Sequence, residues 1–175
     1  KCNQNKAAEI ENKVEIPKDE LEFQNDISTV LREYIPTLPS VKIDSTKYES
    51  WHELAKDIYL QNNYKSLWLS KDVLSSRGKE MLHVLGTAEF LALNKDLYDY
   101  EKLQKINDSL TKILPAVDFN LAKQLEAGLT RSFFQMALHV DHGMFADTVR
   151  GINSNFWNNK EKYVQLLQKA ISDSV

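Results

Sequence analysis

The chain is poor in residues that cross-link it or break it. Its 175 residues hold one cysteine, four prolines and five glycines. A lone Cys2 excludes an internal disulfide. Scarce glycine and proline argue against a turn-rich β-sandwich and for long helices. No apolar run approaches the ~20 residues that a membrane span needs. Gly78, Gly86, Gly128, Gly143 and Gly151 stand singly, so there is no Gly-rich phosphate loop. Basic residues are interspersed with acidic ones and the formal net charge is -3, which leaves nucleic acid without electrostatic support as a partner.

What is present suits one helical domain. The chain is 42% hydrophobic and 27% charged. A chain of this size buries roughly 70% of the surface it exposes when unfolded, and needs no disulfide or metal to hold together. Residues 1–18 lack a sustained apolar period and read as a polar N-terminal arm. Cys2 on that arm fits a lipid-anchored cysteine or a free thiol. Lys1 stands before it, where lipoprotein signals carry a small residue.

Residues 19–175 read as a single all-α domain, an irregular bundle of about six helices with one short extended segment near 64–69. The first helix spans about 18–34, with Leu21, Ile27, Val30, Leu31 and Tyr34 largely on one face. Pro36 and Pro39 stop it. The second starts near Ser45 or Thr46, buries Trp51, Leu54, Ala55, Ile58 and Tyr59, and ends at Asn62-Asn63 in the left-handed conformation. The third covers about 71–93, with a break near Ser75-Ser76 and a buried side of Met81, Leu82, Leu85, Ala88 and Leu91 or Leu93. Gly86 inside it suits a close helix crossing. A helix over about 99–114 ends at Pro115. The strongest pattern runs over 118–142, through Leu121, Leu125, Leu129, Phe133, Met136 and Val140. The last helix, about 159–172, presents Tyr163, Leu166, Leu167, Ala170 and Ile171.

Chemistry is hard to place on these elements. His139 and His142 are three residues apart and would share a helix face, so both could reach one metal ion. Two imidazoles make half a site, and polar or cationic residues suit a helix C-terminus without any metal. No serine sits on a Gly-x-Ser-x-Gly turn. Cys2 has no neighbouring base on its arm. Trp51, Tyr59, Tyr64, Trp68, Phe133, Phe134 and Trp157 could line a groove, but aromatics at helical spacing read first as core. No catalytic, cofactor-binding or metal-binding residue is assigned, and no cofactor is expected.

Three stretches carry a resemblance. "AKDIYLQNNYKSLWLS" resembles the opening motif of the N-terminal scaffold domain of large murein L,D-transpeptidases. There a helix ends in Tyr, followed by a polar turn, a second aromatic and a Leu/Ala-Trp pair. Here these are Tyr59, Asn62-Asn63, Tyr64 and Leu67-Trp68. "EMLHVLGTAEFLALNKDLYDYEKL" is similar to the family's next piece, although Asn94 to Tyr100 lacks the Gly of its loop. "AKQLEAGLTRSFFQMALHVDHGMF" resembles the third, with Leu125, Glu126, Leu129, Thr130, His139 and Gly143 in register; the Pro usual after that Gly is absent.

The resemblance implies a domain type and no catalytic residue. The family's active site lies in a later, mostly β domain, on a Ser/Thr-His-Gly-Cys-x-Arg run. Asp141-His142-Gly143-Met144 echoes that run faintly, and a Met thioether cannot become a thiolate. The implied protein is a cell-envelope or periplasmic scaffold. Its expected partners are a catalytic domain beyond Val175 and peptidoglycan. The other reading is a stand-alone envelope module that binds protein or glycan.

Overall fold

The computed structural model describes residues 16–38, 51–142 and 160–172. Most of the N-terminal arm with Cys2, the expected helix start at Ser45 or Thr46, and Trp157 lie outside them. The side chains of Trp51 and His142 are also outside them.

Six α-helices and one short hairpin make up the described residues. They are α1 (Lys18–Tyr34), α2 (Trp51–Gln61), α3 (Ser76–Gly86), α4 (Tyr100–Lys112), α5 (Phe119–His142) and α6 (Lys160–Ser172). Strands β1 (Leu69–Ser70) and β2 (Val73–Leu74) pair antiparallel, Leu69 opposite Leu74 and Ser70 opposite Val73. Short 3-10 turns follow α1, follow α3 and precede α4. The all-α reading therefore holds, with the extended segment shifted slightly and folded back on itself.

Helix α5 is the axis of the bundle, and α1, α2, α3 and α4 all pack on it. Its apolar stripe is wide, from Ala122, Leu125 and Leu129 to Phe134, Met136 and Leu138. Asp118 caps it, accepting from the amides of Asn120 at 2.8 Å and Leu121 at 3.2 Å. α1 contributes Phe23, Ile27 and Leu31 to the core, and α2 contributes Leu54, Ala55, Ile58 and Tyr59. α6 brings Tyr163 and Leu167.

Several sequence expectations need correction. Residues 71–74 belong to the hairpin, not to the third helix. That helix begins only after Ser75, whose hydroxyl accepts from the Gly78 amide at 3.2 Å and donates to the Trp68 carbonyl at 2.8 Å. It ends at Gly86, and a 3-10 turn over Ala88–Leu91 replaces its expected continuation. Leu91 is exposed and Leu93 takes the core position. Leu21, Val140 and Leu166 were expected on buried faces and are exposed. Leu21 lies in the first turn of α1, and the other two border a groove described below.

The turn after α2 is left-handed at both Asn63 (φ 52°) and Tyr64 (φ 59°). This double reversal sends the chain from the end of α2 back toward the middle of α5. Gly78 is where the returning segment touches α3. A Cβ there would lie 2.2 Å from the Trp68 carbonyl oxygen and 2.8 Å from a Leu74 methyl. Gly86 admits the Tyr100 ring in the same way, at 2.9 Å, and this is the close approach between α3 and α4 that its position suggested.

An exposed helical Gly→Ala change usually stabilises by about 1 kcal/mol. At Gly78 the sign should reverse, because the new methyl meets backbone. Gly78→Ala is expected to destabilise by about 1–3 kcal/mol in urea unfolding, and a gain in stability would contradict this packing.

Candidate functional site

The polar residues of the three family-like stretches converge on the buried face of α5. Glu126 is fully buried. Its carboxylate accepts from the Leu67 amide at 2.5 Å, the Ser66 hydroxyl at 2.7 Å, the Tyr59 hydroxyl at 2.8 Å and the Trp68 amide at 3.3 Å. Four residues on, Thr130 lies one turn along the same face. Its hydroxyl accepts from the Trp68 indole N–H at 2.8 Å and lies 2.8 Å from the Tyr59 hydroxyl. The Glu-x-x-x-Thr spacing of α5 thus holds the Tyr, Leu and Trp of the first stretch.

The second stretch is tied to the next turns of α5. The Ser132 hydroxyl lies 2.9 Å from the carbonyls of Tyr98 and Gly128. Arg131 Nη1 donates to Asp99 Oδ2 at 2.6 Å. The Tyr98 hydroxyl and His139 Nδ1 are 2.8 Å apart, and both side chains are buried. His139 is therefore a buried strut toward the segment before α4, not an open polar residue at a helix end. Asp141 accepts from Lys162 Nζ and the Tyr163 hydroxyl, each at 2.7 Å, and so joins α5 to α6. No group of three potential metal ligands occurs among the described residues.

The aromatics resolve mostly into core, as their helical spacing suggested, and not into a groove. Tyr59, Trp68 and Phe134 are buried, while Tyr64 and Phe133 are half-buried. Trp68 packs on Phe133 with ring centroids 6.1 Å apart. An open, mainly apolar groove of about 520 Å³ does lie between α3, α5 and α6. Met81, Phe133, Met136 and Tyr163 line it, and exposed Val84, Leu91, Val140 and Leu166 form its rim.

The electrostatics of Glu126 follow from its surroundings. Burial raises its carboxyl above the ordinary carboxylate range; the two amides and two hydroxyls pull the other way without cancelling that. The same burial, with the neighbouring carboxylate, pushes the Tyr59 phenol well up, so Tyr59 stays a donor. Among the four partners only the hydroxyls of Ser66 and Tyr59 can reverse and accept a proton from Glu126; amides cannot. With no exposure, these oxygens reach no external molecule unless the core opens. Their work is structural.

A family profile described as Scaffold domain matches residues 53–174. The chain belongs to that family. The match agrees with the resemblance of the three stretches to the scaffold domain of L,D-transpeptidases. It runs from within α2 to just past α6, and includes all the hydrogen-bonded residues described above. No curated protein and no solved structure matches the chain.

Glu126 belongs to the third family-like stretch, and its burial is a finding of the structure. The signal was there: an acidic residue between Leu125 and Leu129 on an apolar helix, four residues before a threonine. Glu126→Ala should cost about 3–5 kcal/mol, because it strands two buried amides and two hydroxyls. The folded protein holds the Glu126 proton more tightly than the unfolded chain does. That contribution is complete below the ordinary carboxylate pKa and is lost as pH rises through the raised value. The melting-temperature advantage of wild type over Glu126→Gln should therefore shrink from acidic to neutral pH. A pH-independent difference would contradict the raised pKa.

Proposed function

We propose that this chain is the non-catalytic helical scaffold of a cell-envelope peptidoglycan L,D-transpeptidase. Its task is to support a catalytic domain of the same protein and to help position peptidoglycan. The observation that carries the reading is the agreement of the family match over 53–174 with the three motif-like stretches, whose polar residues bond to successive turns of α5. Such residues suit a scaffold, because they set the positions of α2, the hairpin and α4 on a common axis.

In this proposal the functional unit spans 19–175 behind the polar arm of 1–18. α1 belongs to it because it packs on α5 and covers the hairpin. There the Gln24 amide donates to the Leu69 carbonyl at 3.1 Å, and Glu20 accepts from the Lys71 amide at 3.0 Å. The envelope location follows from the proposed role, with Cys2 as a candidate lipid anchor. No helix among the described residues is long and apolar enough to cross a membrane.

One observation favours the second reading, a stand-alone envelope binding module. The apolar groove with its exposed rim is the kind of surface that receives a partner. The gene separates the two. The scaffold reading expects the coding sequence past Val175 to continue into a Ser/Thr-His-Gly-Cys-x-Arg run, and the purified 175 residues to leave muropeptides unchanged. A stop codon soon after Val175 would favour the binding module. Cross-linking by the 175 residues alone would contradict both.

A further inference from the structure

A second groove lies between the start of α4 and the middle of α5, about 320 Å³ in volume. Three cations line it: Lys102 from α4, and Lys123 and Arg131 from α5. The one carboxylate among its lining residues is Asp99, already engaged by Arg131 at 2.6 Å. An excess of positive charge therefore gathers here in a chain whose formal net charge is -3. Lys102 is exposed and makes no hydrogen bond or ion pair among the described residues. The Lys123 ammonium sits 5.0 Å from the centre of the Tyr34 ring, so its partner among the described residues is an aromatic face.

The groove is a built shape. Leu103, Ala127 and Gly128 make its floor. Gly128 lets α4 approach α5 closely there; a Cβ would lie 2.4 Å from a Leu103 methyl. Along α4 the groove runs on into a polar stretch lined by Lys105, Asp96 and Glu101. Charges of both signs mix along that stretch, which also includes Lys102 and Asp99, and the positive excess stays at the end where Lys123 and Arg131 join Lys102. That end suits a short ligand that carries carboxylates.

We propose that this α4–α5 groove binds the carboxylates of a short acidic peptide, with Lys102, Lys123 and Arg131 as the binding cations and Tyr34 as an aromatic wall. The proposal deepens the function above and rests on it for its natural ligand, since peptidoglycan carries peptide stems with free carboxylates. The binding site itself rests only on the groove.

The test is ¹⁵N NMR titration of the whole chain with two kinds of probe. One is hexaglutamate. The other is a soluble muropeptide, used with free and with amidated carboxylates. Hexaglutamate should shift the amides of residues 99–105 and 121–131. Binding should weaken by about fivefold or more in the Lys102→Gln/Lys123→Gln double variant, and again from about 50 to about 500 mM salt. Lys102 is exposed and Lys123 half-buried, and an otherwise unchanged spectrum checks the variant's fold. Absence of shifts at the groove, or equal affinity in the double variant, overturns the proposal. Groove binding by the free but not the amidated muropeptide supports the site and the peptidoglycan reading together. Groove binding by hexaglutamate with a silent muropeptide keeps the site and removes peptidoglycan as its ligand.

Discussion

The architecture depends on one buried carboxylate. Glu126 lies about two turns into the axial helix, with two main-chain amides and two hydroxyls aimed at it and no basic side chain among its hydrogen-bond partners. Taking a carboxylate out of water is unfavourable by several kcal/mol unless donors replace the lost hydration. Here the donors come from residues 59, 66, 67 and 68, on the end of one helix and the irregular segment after it. That segment has little regular structure to hold it. Its amides are satisfied because α5 supplies an acceptor at that depth, and the carboxylate is tolerated because the segment returns over it. Each side requires the other, and the two left-handed residues, Asn63 and Tyr64, make the return possible.

The rest of the bundle follows from this lock. Once Leu67 and Trp68 are seated, the Trp68 carbonyl receives the Ser75 hydroxyl and amide, which starts α3 directly above it. Gly78 allows that closeness. α3 then presents Gly86 to Tyr100 at the head of α4, and α4 is fixed to α5 through Asp99, Tyr98 and the next turns of the axis. Such a chain of dependence suits a scaffold: among the described residues these polar groups are spent on holding elements in place, and grooves stay open between the helices.

The helices were legible in the sequence because their apolar periods are long and their stops are chemical. The bounds of α1 and α5 follow from Pro36 and Asp118, and the end of α2 from the Asn pair. The hairpin was not legible. Its strands have two residues each, too short to show an alternating period, and Ser75 reads as a break inside a helix as easily as a cap at the start of one. The exposure of Val140 and Leu166 was hidden for another reason. Periodicity says that a face is apolar, and only the placement of a third helix decides whether the face is covered. His139 illustrates the limit for single residues: a histidine near a helix end fits a metal, a dipole or a buried hydrogen bond, and the choice of Tyr98 as its partner is made by the fold.

The central claim is that Glu126 holds the 66–68 segment as firmly as the core itself, and native-state hydrogen exchange tests it most directly. The Leu67 amide should exchange only through global unfolding, with the same free energy as the slowest amides of α5. Its protection should fall by several orders of magnitude in a folded Glu126→Gln variant if the carboxylate is what closes the segment. Rapid exchange of Leu67 in the wild type, while α5 stays protected, would show that the segment opens by itself and that the lock does not hold the structure.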